Sequence, residues 1–216
     1  MERAAFGGVE VAWEISGRAR HPTLVLLACP GSDRSDWQEV ERRFATTFRV
    51  LVPELPLQEP RAQAALLARV FDHLGIERAY LCGHALGGVV ALAFAVGFPE
   101  RLYGLVLVGT TPEPFTIGAE ATDDERDEGL PALPSYRSPG FLGDLERLTT
   151  PTLIVVGESD APFLQRGAEL LHGWIPFSRL ARVPSARHTP QRENPHAFGD
   201  EIAAFLHEME QARLTG

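Results

Sequence analysis

The sequence predicts an α/β protein, a mainly parallel sheet with helices on both faces. Short aliphatic and β-branched runs recur along the chain, they alternate with stretches of helical pattern, and the runs are continuously apolar rather than apolar at every second position. Continuity of that kind marks a strand covered on both faces, and alternating strands and helices are how a parallel sheet is connected.

The opening "FGGVEVAWEIS" (6–16) reads as one or two shorter antiparallel edge strands. Buried strands are expected at "TLVLLAC" (23–29), "FRVLVPEL" (48–55), "RAYLCG" (78–83), "LYGLVLVGT" (102–110), "TPTLIVVGE" (150–158) and "SRLARVP" (178–184). Helical patterns occupy 61–76, 86–100 and 196–214. Between Thr111 and Leu148 the rhythm breaks into a proline- and glycine-rich excursion whose acidic run, "DDERDE" at 123–128, reads as a solvated face. The 216 residues are expected to form one domain over 1–216, with 111–148 as a short lid-like excursion.

Composition narrows the chemistry. A formal charge of -9 disfavours a nucleic-acid partner, because phosphate binding needs clustered positive charge. All 20 basic residues are arginine, so a lysine Schiff base is excluded. The two cysteines, Cys29 and Cys82, are too few for a disulfide framework and lack metal-site spacing; no metal and no cofactor are expected. No apolar run approaches the roughly 18 residues that cross a bilayer. The N-terminal residues lack a secretory pattern, so a cytoplasmic location is expected.

The segment "GHALGG" carries the functional signal. Gly83, His84, Ala85, Leu86 and Gly87 form G-x-A-x-G, which with serine third would be a nucleophile elbow, a sharp strand-to-helix turn that exposes a hydroxyl at the sheet's carboxyl edge. Such a residue is held in a strained backbone conformation costing roughly 1 to 3 kcal/mol. Glycine would relieve that strain, so alanine reads as a serine stripped of its hydroxyl. Downstream, "LIVVGESDAPF" delivers Asp160 after a strand and "VPSARHTPQRENPHAF" delivers His188 after the last one. The order Ala85, Asp160, His188 is that of nucleophile, acid and base in one hydrolase class.

With these motifs in place, the chain resembles the α/β-hydrolase superfamily over most of its length. "LVLLACPGSDRSDW" is similar to the segment around the third strand, "GHALGG" to the elbow, "FPERLYGLVLVG" to a helix end and sixth strand, "GESD" to the acid loop and "RHTPQRENP" to the histidine loop. The resemblance implies an eight-stranded, mostly parallel sheet with the site at its carboxyl edge. It also implies an oxyanion hole from the amides of Leu86 and of Pro30, although a proline has no amide hydrogen to donate. Missing one such donor typically costs ~10² to 10³ in turnover. The short excursion implies a reduced cap. His84 is expected to support the site by packing or orientation, and Cys29 and His84 to line it together with Phe115, Tyr136 and Phe141. Trp37 reads as core. Cys29 and Cys82 end strands that would be neighbours, so their sulfurs are expected to approach; buried packing is the ordinary reading, and a substitute nucleophile at Cys29 the alternative.

Three functions follow. The chain is a hydrolase of esters, thioesters or lactones silenced by Ala85, or His188 and Asp160 act as a general base without a nucleophile, or the protein only binds a small molecule or a partner. A small-molecule ligand is expected, and self-association stays open.

Overall fold

The computed structural model describes residues 1–29, 34–111 and 142–215. Eight strands form one sheet: β1 (Glu2–Phe6), β2 (Val9–Ser16), β3 (Thr23–Leu27), β4 (Arg49–Glu54), β5 (Ala79–His84), β6 (Leu102–Val108), β7 (Thr152–Gly157) and β8 (Ser178–Val183). Their order is β1-β2-β4-β3-β5-β6-β7-β8. β1 and β2 pair antiparallel, β2 runs antiparallel to β4, and every other pairing is parallel. The edge hairpin begins earlier than its sequence pattern suggests. Phe6 faces Val9 across a two-residue turn in which Gly7 and Gly8 take φ of 62° and 86°, values that favour glycine and fit a tight hairpin.

The helices are α1 (Gln38–Phe44), α2 (Pro60–His73), α3 (Leu86–Gly97), α4 (Leu142–Leu145), α5 (Pro162–Trp174), α6 (Pro190–Glu193) and α7 (Pro195–Thr215). Residues of α2, α3 and α5 join one core layer; residues of α1 and α7 join the other on the opposite sheet face. All five residues of β3 and all six of β5 and of β7 are buried, as continuous apolar runs require. α3, expected to extend to 100, ends at Gly97: Phe98 precedes a proline, which pushes it out of the helical region to φ -141°. α1 and α5 were not evident in the sequence, although α5 buries Leu164, Gly167, Ala168 and Leu171 at helical spacing. The close of the 111–148 excursion returns to the core, with Leu145 and Leu148 buried; residues 112–141, and with them the expected cap, lie outside the described residues.

The connections around β3 locate the site. From β3 the chain moves to β4 on one side, then crosses back to β5 on the other and continues outward through β6, β7 and β8. The carboxyl ends of β3 and β5 mark the topological switch point, where open α/β sheets receive their ligands.

Candidate active site

Every residue of the acid, elbow and histidine constellation lies at that carboxyl edge. Ala85 caps α3 directly after β5 with φ 50° and ψ -116°, outside the ordinary regions for a residue bearing a Cβ. Its amide donates to the Val108 carbonyl at 2.9 Å, and its carbonyl accepts from Gly88 and Val89. The turn is made tight by its glycines. A Cβ on Gly83 would strike the backbone of Gly87 and Gly88, and one on Gly87 would strike the carbonyls of Leu27 and Ala28 at the end of β3. None of the elbow's hydrogen bonds uses the side chain of residue 85.

Asp160 lies in the turn between β7 and α5. Its amide donates to the Gly157 carbonyl at 3.1 Å and its Oδ1 accepts the Ala161 amide at 2.8 Å. Its Oδ2 stands 3.5 Å from His188 Nδ1, with the carboxylate side chain 2% exposed and the imidazole 25% exposed. At that separation neither atom has a formed hydrogen bond. The two atoms face each other just beyond hydrogen-bond distance, and a small side-chain adjustment would close the gap. A carboxylate on the Nδ1 side favours the tautomer with the proton there, leaving Nε2 as the basic atom.

His84 lies beneath His188. It is buried, its ring centroid is 4.9 Å from that of His188, and its Nε2 donates to the His188 carbonyl at 2.8 Å. Burial, together with the neighbouring imidazole, pushes His84 down to about 3, so it is neutral near physiological pH. Its contacts are those of a support beneath the other imidazole.

The Leu86 amide, the expected oxyanion donor, lies against the Cys29 sulfur as a hydrogen-bond donor. Burial raises the Cys29 thiol above its ordinary value despite that hydrogen bond, and nearby Asp36 raises it further. A thiol so disposed is a poor thiolate source, which argues against Cys29 as substitute nucleophile. The expected approach of the two sulfurs is overturned by the pleat of the sheet. Cys82 pairs with Leu26 and belongs with it to the α1 and α7 layer, whereas Cys29 packs with Leu27 in the layer of α2 and α3. The two free thiols therefore sit on opposite faces. Trp37 is fully buried against Phe198, as a core residue. Pro30, Phe115, Tyr136 and Phe141 lie outside the described residues.

Glu193 and Asp36 were missed in the sequence. Arg192 on α6 pairs with the buried Asp36 at 3.0 Å, tying the histidine loop to the segment that follows β3. Among the described residues, no group of three or more His, Cys, Asp or Glu could hold a metal ion, and no helix is long and apolar enough to cross a membrane.

Comparison with known proteins agrees with this fold. The model of the alpha/beta hydrolase fold family matches residues 26–133. The chain is similar to a Bacillus subtilis protein named as a 2-succinyl-6-hydroxy-2,4-cyclohexadiene-1-carboxylate synthase, at 26% identity over 85% of this chain and 80% of that one. It is also similar to a 2-hydroxy-6-oxo-6-phenylhexa-2,4-dienoate hydrolase of Comamonas testosteroni, at 32% identity over 78% of this chain and 65% of the relative. Among solved structures, a thermophilic esterase from Thermogutta terrifontis superposes with a TM-score of 0.80 at 25% identity, over 97% of this chain and 99% of that one.

Proposed function

The chain belongs to the alpha/beta hydrolase fold family, and from that premise we propose that its site is of the serine ester, thioester or lactone hydrolase lineage, with alanine at the nucleophile position. As it stands, the protein holds a small carbonyl or acyl substrate without forming an acyl-enzyme. The observation that carries this reading is the backbone of Ala85, which keeps the strained φ of 50° that an elbow needs although no hydroxyl uses it. In this reading His188 would take the proton of a hydroxyl at that turn, with Asp160 orienting its ring. Removing a triad nucleophile typically lowers turnover by about 10⁶ while binding is largely spared. The test is restoration: Ala85→Ser should gain hydrolysis of p-nitrophenyl acyl esters, and absence of any gain would count against the proposal.

A second reading has its own support. The Bacillus subtilis relative is named as a synthase rather than a hydrolase, and a partly exposed imidazole beside a buried carboxylate, as His188 is beside Asp160, can serve as general base for proton abstraction, elimination or cyclisation. Turnover by the unaltered chain that disappears in His188→Ala would favour it.

A further inference from the structure

The backbone around His188 is held by contacts that neither Ala85 nor Asp160 supplies. Glu193, the last residue of α6, turns its carboxylate back onto the loop. Its Oε2 accepts the Arg187 amide, and its Oε1 accepts the Thr189 amide at 3.2 Å and the Thr189 hydroxyl at 2.7 Å. Those two amides flank His188. On the other side, His84 Nε2 donates to the carbonyl of His188 itself. Asn194 closes the loop with a 2.9 Å hydrogen bond to the Pro184 carbonyl, next to Ser185, whose φ of 55° is a conformation that surrounding contacts must enforce.

We infer that Glu193 is the positioning residue of this site, a carboxylate clamp that takes the amides on both sides of His188 and fixes where its ring stands relative to Asp160. The inference rests on reading His188 as the working base. Partial burial alone would raise the Glu193 carboxyl, but the hydrogen bonds from Arg187 and Thr189 outweigh it and hold the group below the usual carboxylate range. The clamp is therefore anionic near neutral pH. Its leverage follows from the Asp160 separation: at 3.5 Å the pair already stands at the edge of hydrogen bonding, so backbone drift at residue 188 moves Nδ1 out of reach.

Two readouts test this. In the unaltered chain, proton NMR should show a downfield His188 Nδ1–H resonance, identified by its loss in Asp160→Asn. In an Ala85→Ser background, kcat and KM are measured with a p-nitrophenyl ester. Glu193→Ala should lose the resonance and lower kcat by up to about 10²-fold with KM changed by less than about twofold. Glu193→Gln, which keeps one acceptor oxygen, should recover part of both, and Glu169→Gln, which removes the exposed partner of Arg182, should alter neither. If Glu193→Ala does not fold, the glutamine variant decides: a weakened resonance supports the clamp, and a parental one overturns it. If Ala85→Ser shows no esterase activity, the hydrolase reading fails and the resonance alone decides. A resonance that Asp160→Asn does not remove, or one that Glu193→Ala leaves unchanged, overturns the inference.

Discussion

The elbow and the histidine loop hold their candidate residues by different means. At the elbow the constraint is main-chain: Ala85 bonds through its own amide and carbonyl, and the glycines on either side admit backbone where no Cβ fits. The histidine loop has main-chain bonds too, Ser159 donating to the Ala186 carbonyl beside Gly157, but it adds side-chain ones: the Glu193 carboxylate, the Asn194 amide and the His84 imidazole each grip a backbone group. Under the proposed function, the difference explains how the site could lack a nucleophile and keep its shape. Residue 85 contributes no side-chain bond to its turn, so removing an oxygen there leaves the geometry intact. The loop depends on three particular side chains, and changing one loosens it.

The most severe break in the comparison is expected at the acid. In an Ala85→Ser background, Asp160→Asn should lower kcat by about 10⁴, since an amide opposite Nδ1 no longer fixes the imidazole tautomer. Steady-state kinetics check it. Next is the main-chain constraint itself: Gly83→Ala drives a Cβ into the backbone of Gly87 and should destabilise the fold by about 3 kcal/mol or more, read by equilibrium denaturation.

Acid sharpens the contrast from the loop side. His84 is held down at about 3, so the unfolded chain binds its proton more readily than the folded one. Its contribution to stability is complete above the ordinary imidazole range and is lost as pH falls from about 6.5 towards about 3. Denaturation midpoints should therefore fall between about pH 7 and about pH 4, and the slope should flatten in His84→Asn. The smallest effect belongs to the elbow's stored strain. Ala85→Gly should stabilise the protein by about 1 kcal/mol, measured as a rise in Tm, because glycine adopts that backbone without a Cβ penalty.

Much of this arrangement was legible in the residues. The central strands of the parallel sheet announced themselves as unbroken apolar runs because helices cover both faces, and Ala85 and Asp160 were legible because each follows such a run, whereas His188 follows the part-exposed edge strand β8 and was legible from its place after the last strand. What stayed hidden depends on the third dimension. Glu193 is one acid among 29, and only the chain's reversal over α6 shows that it faces back to Arg187 and Thr189. Cys29 follows β3 and Cys82 lies within the adjacent β5, yet the register of Leu26 against Cys82 assigns them to opposite faces, a parity that their separate sequence contexts do not contain. α1 escaped notice because its seven residues carry only two buried apolar positions, Val40 and Phe44.

If the proposed function holds, an intact hydrolase site surrounds a missing hydroxyl. The most direct measurement compares the chain with its Ala85→Ser variant, using p-nitrophenyl acyl esters and a fluorophosphonate label at matched concentrations. Labelling and ester turnover are expected in the serine variant alone, with a rate difference approaching about 10⁶. Equal silence of both proteins, or equal activity of both, would contradict it.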